Sequence, residues 1–135
     1  MKENAERSDL RDRTKQFGLR IIRLYAALPK STEAQVIGKQ LLRSGTSVGA
    51  HYREAYRSRS DVEYIAKIEG GLQELEETAY WLELLCDSGI VKGDLLAELR
   101  KEAEELTAIL VSCSKSAKNH RRGDQRQLEF PPSDN

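Results

Sequence analysis

From Ile65 to Cys86 an apolar residue recurs in alternating steps of three and four: Ile65, Ile68, Leu72, Leu75, Ala79, Leu82, Cys86. Such a period keeps all of them on one side of an α-helix, whereas a strand would scatter them over both faces. A stripe of this length has to be buried. One amphipathic helix cannot cover its own apolar face, so the rest of the chain must supply partners of the same kind.

Three other segments do so. From Asp9 to Leu28 the stripe is Leu10, Phe17, Ile21, Leu24 and Leu28, with Thr14 in register, and Pro29 ends the helix. The second helix opens at Ser31-Thr32-Glu33-Ala34-Gln35, where Thr32 and Gln35 fit a capping box. Its stripe is Ile37, Leu41, Val48, Tyr52 and Ala55. The stretch Ser44-Gly45-Thr46-Ser47-Val48-Gly49 is poor in helix propensity, each Gly costing about 1 kcal/mol relative to Ala. The stripe stays in phase on both sides of it, which predicts a continuous helix whose small residues permit close approach of a neighbour. Ser60 with Glu63 forms a second capping box before the third helix, and Gly89 is its natural stop. The fourth helix opens near Asp94 with Leu95, Leu99, Ala103, Leu106, Leu110, Cys113 and Ala117 as its stripe, and the pattern dissolves after Lys118.

No segment alternates with the period of a strand. Four helices with short connections predict an all-α fold, an antiparallel up-down-up-down four-helix bundle. The bundle is expected over residues 9–118, with a flexible N-terminus at 1–8 and a disordered polar tail at 119–135.

Composition narrows the class. The chain has 135 residues, of which 39% are hydrophobic and 33% charged. That is one domain, with no run near the ~18 apolar residues that a membrane span needs. The opening Met1-Lys2-Glu3-Asn4-Ala5-Glu6-Arg7 has no apolar core of a signal peptide, and two cysteines make no disulfide framework, so a cytoplasmic location is expected. The zero net charge is an average over unlike segments. Residues 1–60 hold 13 Lys/Arg against 6 Asp/Glu, residues 61–110 hold 4 against 13, and residues 111–135 hold 5 against 3. Such asymmetry suggests an electrostatic partner for the basic half, or association of opposite faces.

Catalytic chemistry is not visible. A di-iron bundle needs two Glu-x-x-His pairs, and His51-x-x-Glu54 runs in the reverse order and occurs once. Cys86 ends one helix and Cys113 lies far along the next, roughly 28 Å away at 1.5 Å per residue, beyond reach of a shared metal or disulfide. Gly70-Gly71 is no phosphate loop, and Glu76-Glu77 and Glu104-Glu105 read as solvated helix faces. No cofactor, metal, membrane or small-molecule substrate is expected, and the chain reads as a non-enzyme.

Two segments carry a resemblance. Residues 40–55, QLLRSGTSVGAHYREA, and residues 71–85, GLQELEETAYWLELL, are similar to the two signatures of the four-helix-bundle proteins named after intervening sequences in bacterial 23S rRNA genes. The likeness covers about residues 9–118, and His51 stands where the family pattern has Asn. The resemblance implies a ring-like homopentamer with no enzymatic activity attached. It also implies a relation to the accessory variability determinant of diversity-generating retroelements, which partners a reverse transcriptase and nucleic acid.

Within that frame three groups of residues are candidates. Trp81 and Leu84 point away from the Ala79–Leu82 stripe, with Leu85 beside them, and an apolar patch on an outer face marks an oligomer interface. On the second helix Arg43, Ser47 and Glu54, with His51 at the edge, form a polar stripe that is either the solvent face or an interface, where Glu54 pairs with Arg57 or with a base of a neighbouring subunit. Finally Arg13, Arg20 and Arg23 share a face of the first helix, and Arg53, Arg57 and Arg59 crowd the turn after the second, with Tyr56 near for stacking. Lys115, Lys118, Arg121, Arg122 and Arg126 follow near the C-terminus. Repeated around a ring, these cations would hold RNA or DNA through phosphates. The expected function is therefore a non-catalytic oligomeric accessory protein that associates with nucleic acid, or with a nucleic-acid enzyme. The competing expectation is a protein-only scaffold.

Overall fold

The computed structural model describes residues 2–129, with side chains over residues 9–123. Four helices follow one another: α1 (Lys2–Ala27), α2 (Thr32–Tyr56), α3 (Asp61–Asp87) and α4 (Gly93–Glu129). The short connections force each helix to lie antiparallel to the next, and the chain forms the expected all-α four-helix bundle. The ends differ from expectation. Residues 2–8 continue α1 and residues 119–129 continue α4, so the helices are longer than their apolar stripes. Residues 130–135 of the expected tail lie outside the described residues.

Local chemistry explains the boundaries. Ser31, not Thr32, caps α2: its side chain accepts from the Ala34 amide at 3.4 Å. Gln35 is thereby free of a capping role, and it donates to the Pro29 carbonyl at 2.8 Å and accepts from the Tyr25 hydroxyl at 3.1 Å. Ser60 caps α3 as expected, accepting from the Glu63 amide at 3.1 Å, while Glu63 reaches back to the Arg59 amide rather than to that of Ser60. Gly89 has φ +78°, the left-handed conformation that ends α3 and suits a residue without Cβ.

The glycine-rich stretch of α2 is helical throughout, and its glycines, Gly45 and Gly49, face α1. A Cβ on Gly45 would stand 2.6 Å from Ile21, and one on Gly38 would stand 2.6 Å from Leu28. Loss of helix propensity is thus offset by close packing of Ile21, Leu28 and Tyr25 on the α2 backbone.

The stripe of α3 is rotated from the expected one. The fully buried residues are Ile68, Gly71, Leu75, Thr78, Leu82 and Leu85. Ala79 is exposed, and Leu85, expected on the outer face, is 0% exposed and belongs to the core. The cause is that α3 packs on both α2 and α4, so the buried arc is wider than one stripe. The row Gly71–Thr78–Leu85 completes that arc. Gly71 fits between Val48 of α2 and Leu110 of α4, and Thr78 donates to Ser44 of α2 at 2.8 Å. Ser44 in turn donates to the Leu41 carbonyl at 3.4 Å, so both buried hydroxyls are satisfied. In α4, Leu96 is buried and Leu95, the expected first stripe residue, is 71% exposed. Cys86 and Cys113 are free thiols, half-buried at the edge of the core.

Sequential neighbours pack along their lengths, but α1 and α4 meet over a much smaller surface. One fork joins them: Arg13 Nη2 lies 2.6 Å from Glu102 Oε1, and Arg13 Nε donates to Glu102 Oε2 at 3.1 Å. The fourth seam of the bundle is therefore partly open.

Candidate functional site

The polar stripe of α2 resolves first. Arg43 Nη1 lies 3.1 Å from Glu74 of α3, and its other terminal nitrogen is bonded to Glu77 of α3. Ser47 donates to the Arg43 carbonyl at 2.6 Å. One turn on, His51 lies against Gly70, and Glu54 pairs with Lys67 of α3 at 3.3 Å rather than with Arg57. The stripe is the solvent-exposed outer edge of the α2–α3 seam, where Arg43 of α2 meets two glutamates of α3 and Glu54 of α2 meets a lysine of α3.

That seam reaches the aromatic patch. Glu77 also accepts from Trp81 Nε1 at 3.4 Å, and the Tyr80 and Trp81 rings lie 5.2 Å apart at 59°. The hydrogen bond from Arg43, with a smaller contribution from Trp81, holds the Glu77 carboxyl below the usual carboxylate range, and the same contact raises the Arg43 guanidinium. Trp81 and Leu84 are half-buried and Tyr80 is 53% exposed. The outer-face patch thus consists of Tyr80, Trp81 and Leu84, without Leu85. Tyr80 was not singled out by periodicity, because a tyrosine beside a tryptophan fits either face of a helix.

The expected arginine cluster divides into three. Arg13 is committed to Glu102, with Glu105 at 3.5 Å, and its guanidinium is raised chiefly by the hydrogen bond to Glu102. Arg20 and Arg23 flank Ile21, which packs on Gly45. Arg53 lies eight positions further along α2, about 12 Å away along the axis, which exceeds the ~8 Å screening length at physiological salt. Arg53, Arg57 and Arg59 are exposed at the α2–α3 turn. Among the described residues, Arg20, Arg23, Arg53, Arg57 and Arg59 have no carboxylate partner at ion-pair distance, in contrast to Arg13 and Arg43.

Two more features adjoin the turn. The Arg11 guanidinium carbon stands 5.1 Å over the Tyr56 ring, a cation–π contact between α1 and the last residue of α2. Asp61, the first residue of α3, lies 3.0 Å from Nδ1 of His120 on α4. Residues 121–129 of α4 therefore run past the start of α3, by about 13 Å, and bring Arg121 and Arg122 to the same end of the bundle. Among the described residues no three His, Cys, Asp or Glu side chains are grouped to hold a metal ion, and no helix is long and apolar enough to cross a membrane.

The family model of the 23S rRNA-intervening sequence proteins matches residues 6–112. The chain belongs to that family. A solved structure supports the assignment: a protein of unknown function from the S23 ribosomal protein family of Bacteroides thetaiotaomicron is 35% identical. The match covers 81% of this chain and 97% of that one, with a TM-score of 0.76. No curated protein matches the chain. The matched region ends at residue 112, so the last part of α4 extends beyond it.

Proposed function

We propose that this 23S rRNA-intervening sequence protein is a non-catalytic, oligomeric accessory protein that associates with nucleic acid through its exposed arginines. One observation carries the reading. Arg13 and Arg43 are paired with carboxylates of the same chain, whereas among the described residues Arg20, Arg23, Arg53, Arg57 and Arg59 have no such partner. Cations kept apart from available carboxylates are suited to an external polyanion. The exposed Tyr80 with Trp81 and Leu84 supports association between copies, which would repeat the arginine group around an assembly.

The test is a salt titration of binding to structured RNA, single-stranded DNA and duplex DNA. Phosphate contacts release counterions, so log affinity should fall with log salt by about 0.7–0.9 per phosphate neutralised. Replacing Arg53, Arg57 and Arg59 by alanine should weaken binding and flatten the slope by roughly two to three such units, with the oligomer intact. Replacing Arg121 and Arg122 separately measures what the end of α4 adds. An intact oligomer that binds none of the three at ~50 mM salt, where phosphate contacts are strong, would leave the scaffold as the function.

A further inference from the structure

The partly open α1–α4 seam widens where α2 turns into α3. There Asp9 and Leu10 of α1, the end of α2, the turn, the start of α3 and the second half of α4 line an open cleft of about 940 Å³. That is at the upper end of the ~300–1,000 Å³ typical of sites for small organic molecules. The lining joins two chemistries. Leu10, Tyr56, Tyr64 and Ile109 supply apolar and aromatic surface, while Arg59 and the exposed hydroxyls of Ser112 and Ser116 form a polar rim. Tyr56 is 37% exposed, and Arg11 stands over its ring. Asp9 and Asp61 also line the cleft, the latter held by His120. Arg59 lines the cleft and Arg57 follows Tyr56 in the chain, and among the described residues neither has a carboxylate partner at ion-pair distance.

We infer that this cleft seats unpaired bases of a single-stranded nucleic acid, with Tyr56 as the stacking surface and Arg57 and Arg59 on the flanking phosphates. The inference rests on the nucleic-acid reading above and assigns its substrate class. An aromatic ring beside cations matches both faces of a single strand, its π-surface and its backbone. A duplex keeps its bases in the stack and offers the arginines only its phosphates, so it cannot use the cleft. The hydroxyl rim places donors and acceptors around the edge of a base without selecting one, so preference among bases should be slight.

The experiment measures fluorescence anisotropy at fixed low salt with three probes of one length: a single-stranded RNA, the matching duplex, and an abasic single strand. The full chain is compared with Tyr56→Ala, Tyr56→Phe and Ser116→Trp, the last filling the cleft from an exposed position of α4. The single strand should bind more tightly than the other two. Tyr56→Ala should weaken it by roughly 5- to 150-fold, the contribution of one stacked base, while Tyr56→Phe retains binding. Ser116→Trp should weaken the single strand and leave the duplex unchanged, and circular dichroism should show both folds intact. Equal affinity for all three probes, unmoved by Tyr56→Ala and Ser116→Trp, would overturn the cleft and leave the arginine reading standing. A change in sedimentation with these variants and no change in binding would make the cleft a protein contact instead. Failure of every probe to bind would remove both readings.

Discussion

His51 is the residue whose setting is most unusual. Its ring lies on the backbone of α3, and a Cβ built on Gly70 would stand 2.8 Å from two ring atoms. Among the described residues Nδ1 is buried without a hydrogen-bond partner, and the Glu54 carboxylate lies 3.9 Å away. Gly70 therefore exists in the middle of a helix for the sake of one neighbour. Gly70→Ala should destabilise the protein by about 1–3 kcal/mol through overpacking, despite its better helix propensity. In a His51→Ala background the clash is gone, and the same change should be neutral or stabilising. A double-mutant cycle in urea checks this, and additive effects would refute the contact. The Arg43–Glu77 pair makes a second residue-scale prediction. The folded pKa of Glu77 lies below its unfolded value, near 4.3 for a free glutamate. Its contribution to stability is complete above that unfolded value and is lost as pH falls through the folded one. The pair is largely solvent-exposed, so the effect should be under about 1 kcal/mol. Glu77→Gln should reduce the loss of stability between pH 6 and pH 3, measured by thermal melts along that range.

At the scale of the element, what periodicity could reveal depended on which residues filled the buried arc. The helices of α1 and α2 were legible because Pro29 separates them and because Leu41 and Val48 keep phase across the small residues. The second buried row of α3 was not, since Gly71 and Thr78 carry no apolar signal and their burial follows from contact with α2 and α4. Leu85 was thereby assigned to the wrong face. In α4 the adjacent Leu95 and Leu96 fit the pattern equally at a helix start, and only packing separates them. The extension of α1 and α4 beyond their stripes was invisible for the opposite reason, that exposed polar helix has no period to read. The pair Leu85 and Leu95 tests the observed phase directly. Leu85→Ala removes a fully buried side chain and should cost about 2–5 kcal/mol. Leu95→Ala removes one that faces water and should change stability by less than about 0.5 kcal/mol. Equal costs would mean that the helices are rotated from the positions described.

For the whole molecule, the charge imbalance along the chain becomes a relation between helices. Part of it closes internally, since Arg13 reaches α4 and Arg43 reaches α3. The candidate oligomer surface sits at one of these closures: Arg43 fixes Glu77, Glu77 holds Trp81, and Trp81 packs against Tyr80. An ion pair that orients an aromatic patch prepares it for a partner without further ordering cost. The sequence made Trp81 and Leu84 legible as an outward pair, but not the hydrogen bond that positions Trp81. Assembly through this patch gives the last prediction. The wild-type chain should sediment as an oligomer, a pentamer as the family resemblance implies, at tens of micromolar. Trp81→Glu should reduce its mass, but Trp81 also packs on the core, so loss of fold would give the same result. Tyr80→Glu separates the two causes. Tyr80 is half exposed within the subunit, so a charge there costs the isolated subunit little, whereas at an interface it would be buried unpaired. It should therefore shift the protein toward monomer with its helical content unchanged. A monomeric wild type would end the oligomer reading, whereas an oligomer whose mass Tyr80→Glu leaves unchanged would remove this face from the assembly and leave other exposed apolar residues, such as Ile22 of α1 and Val36 of α2, to be tested.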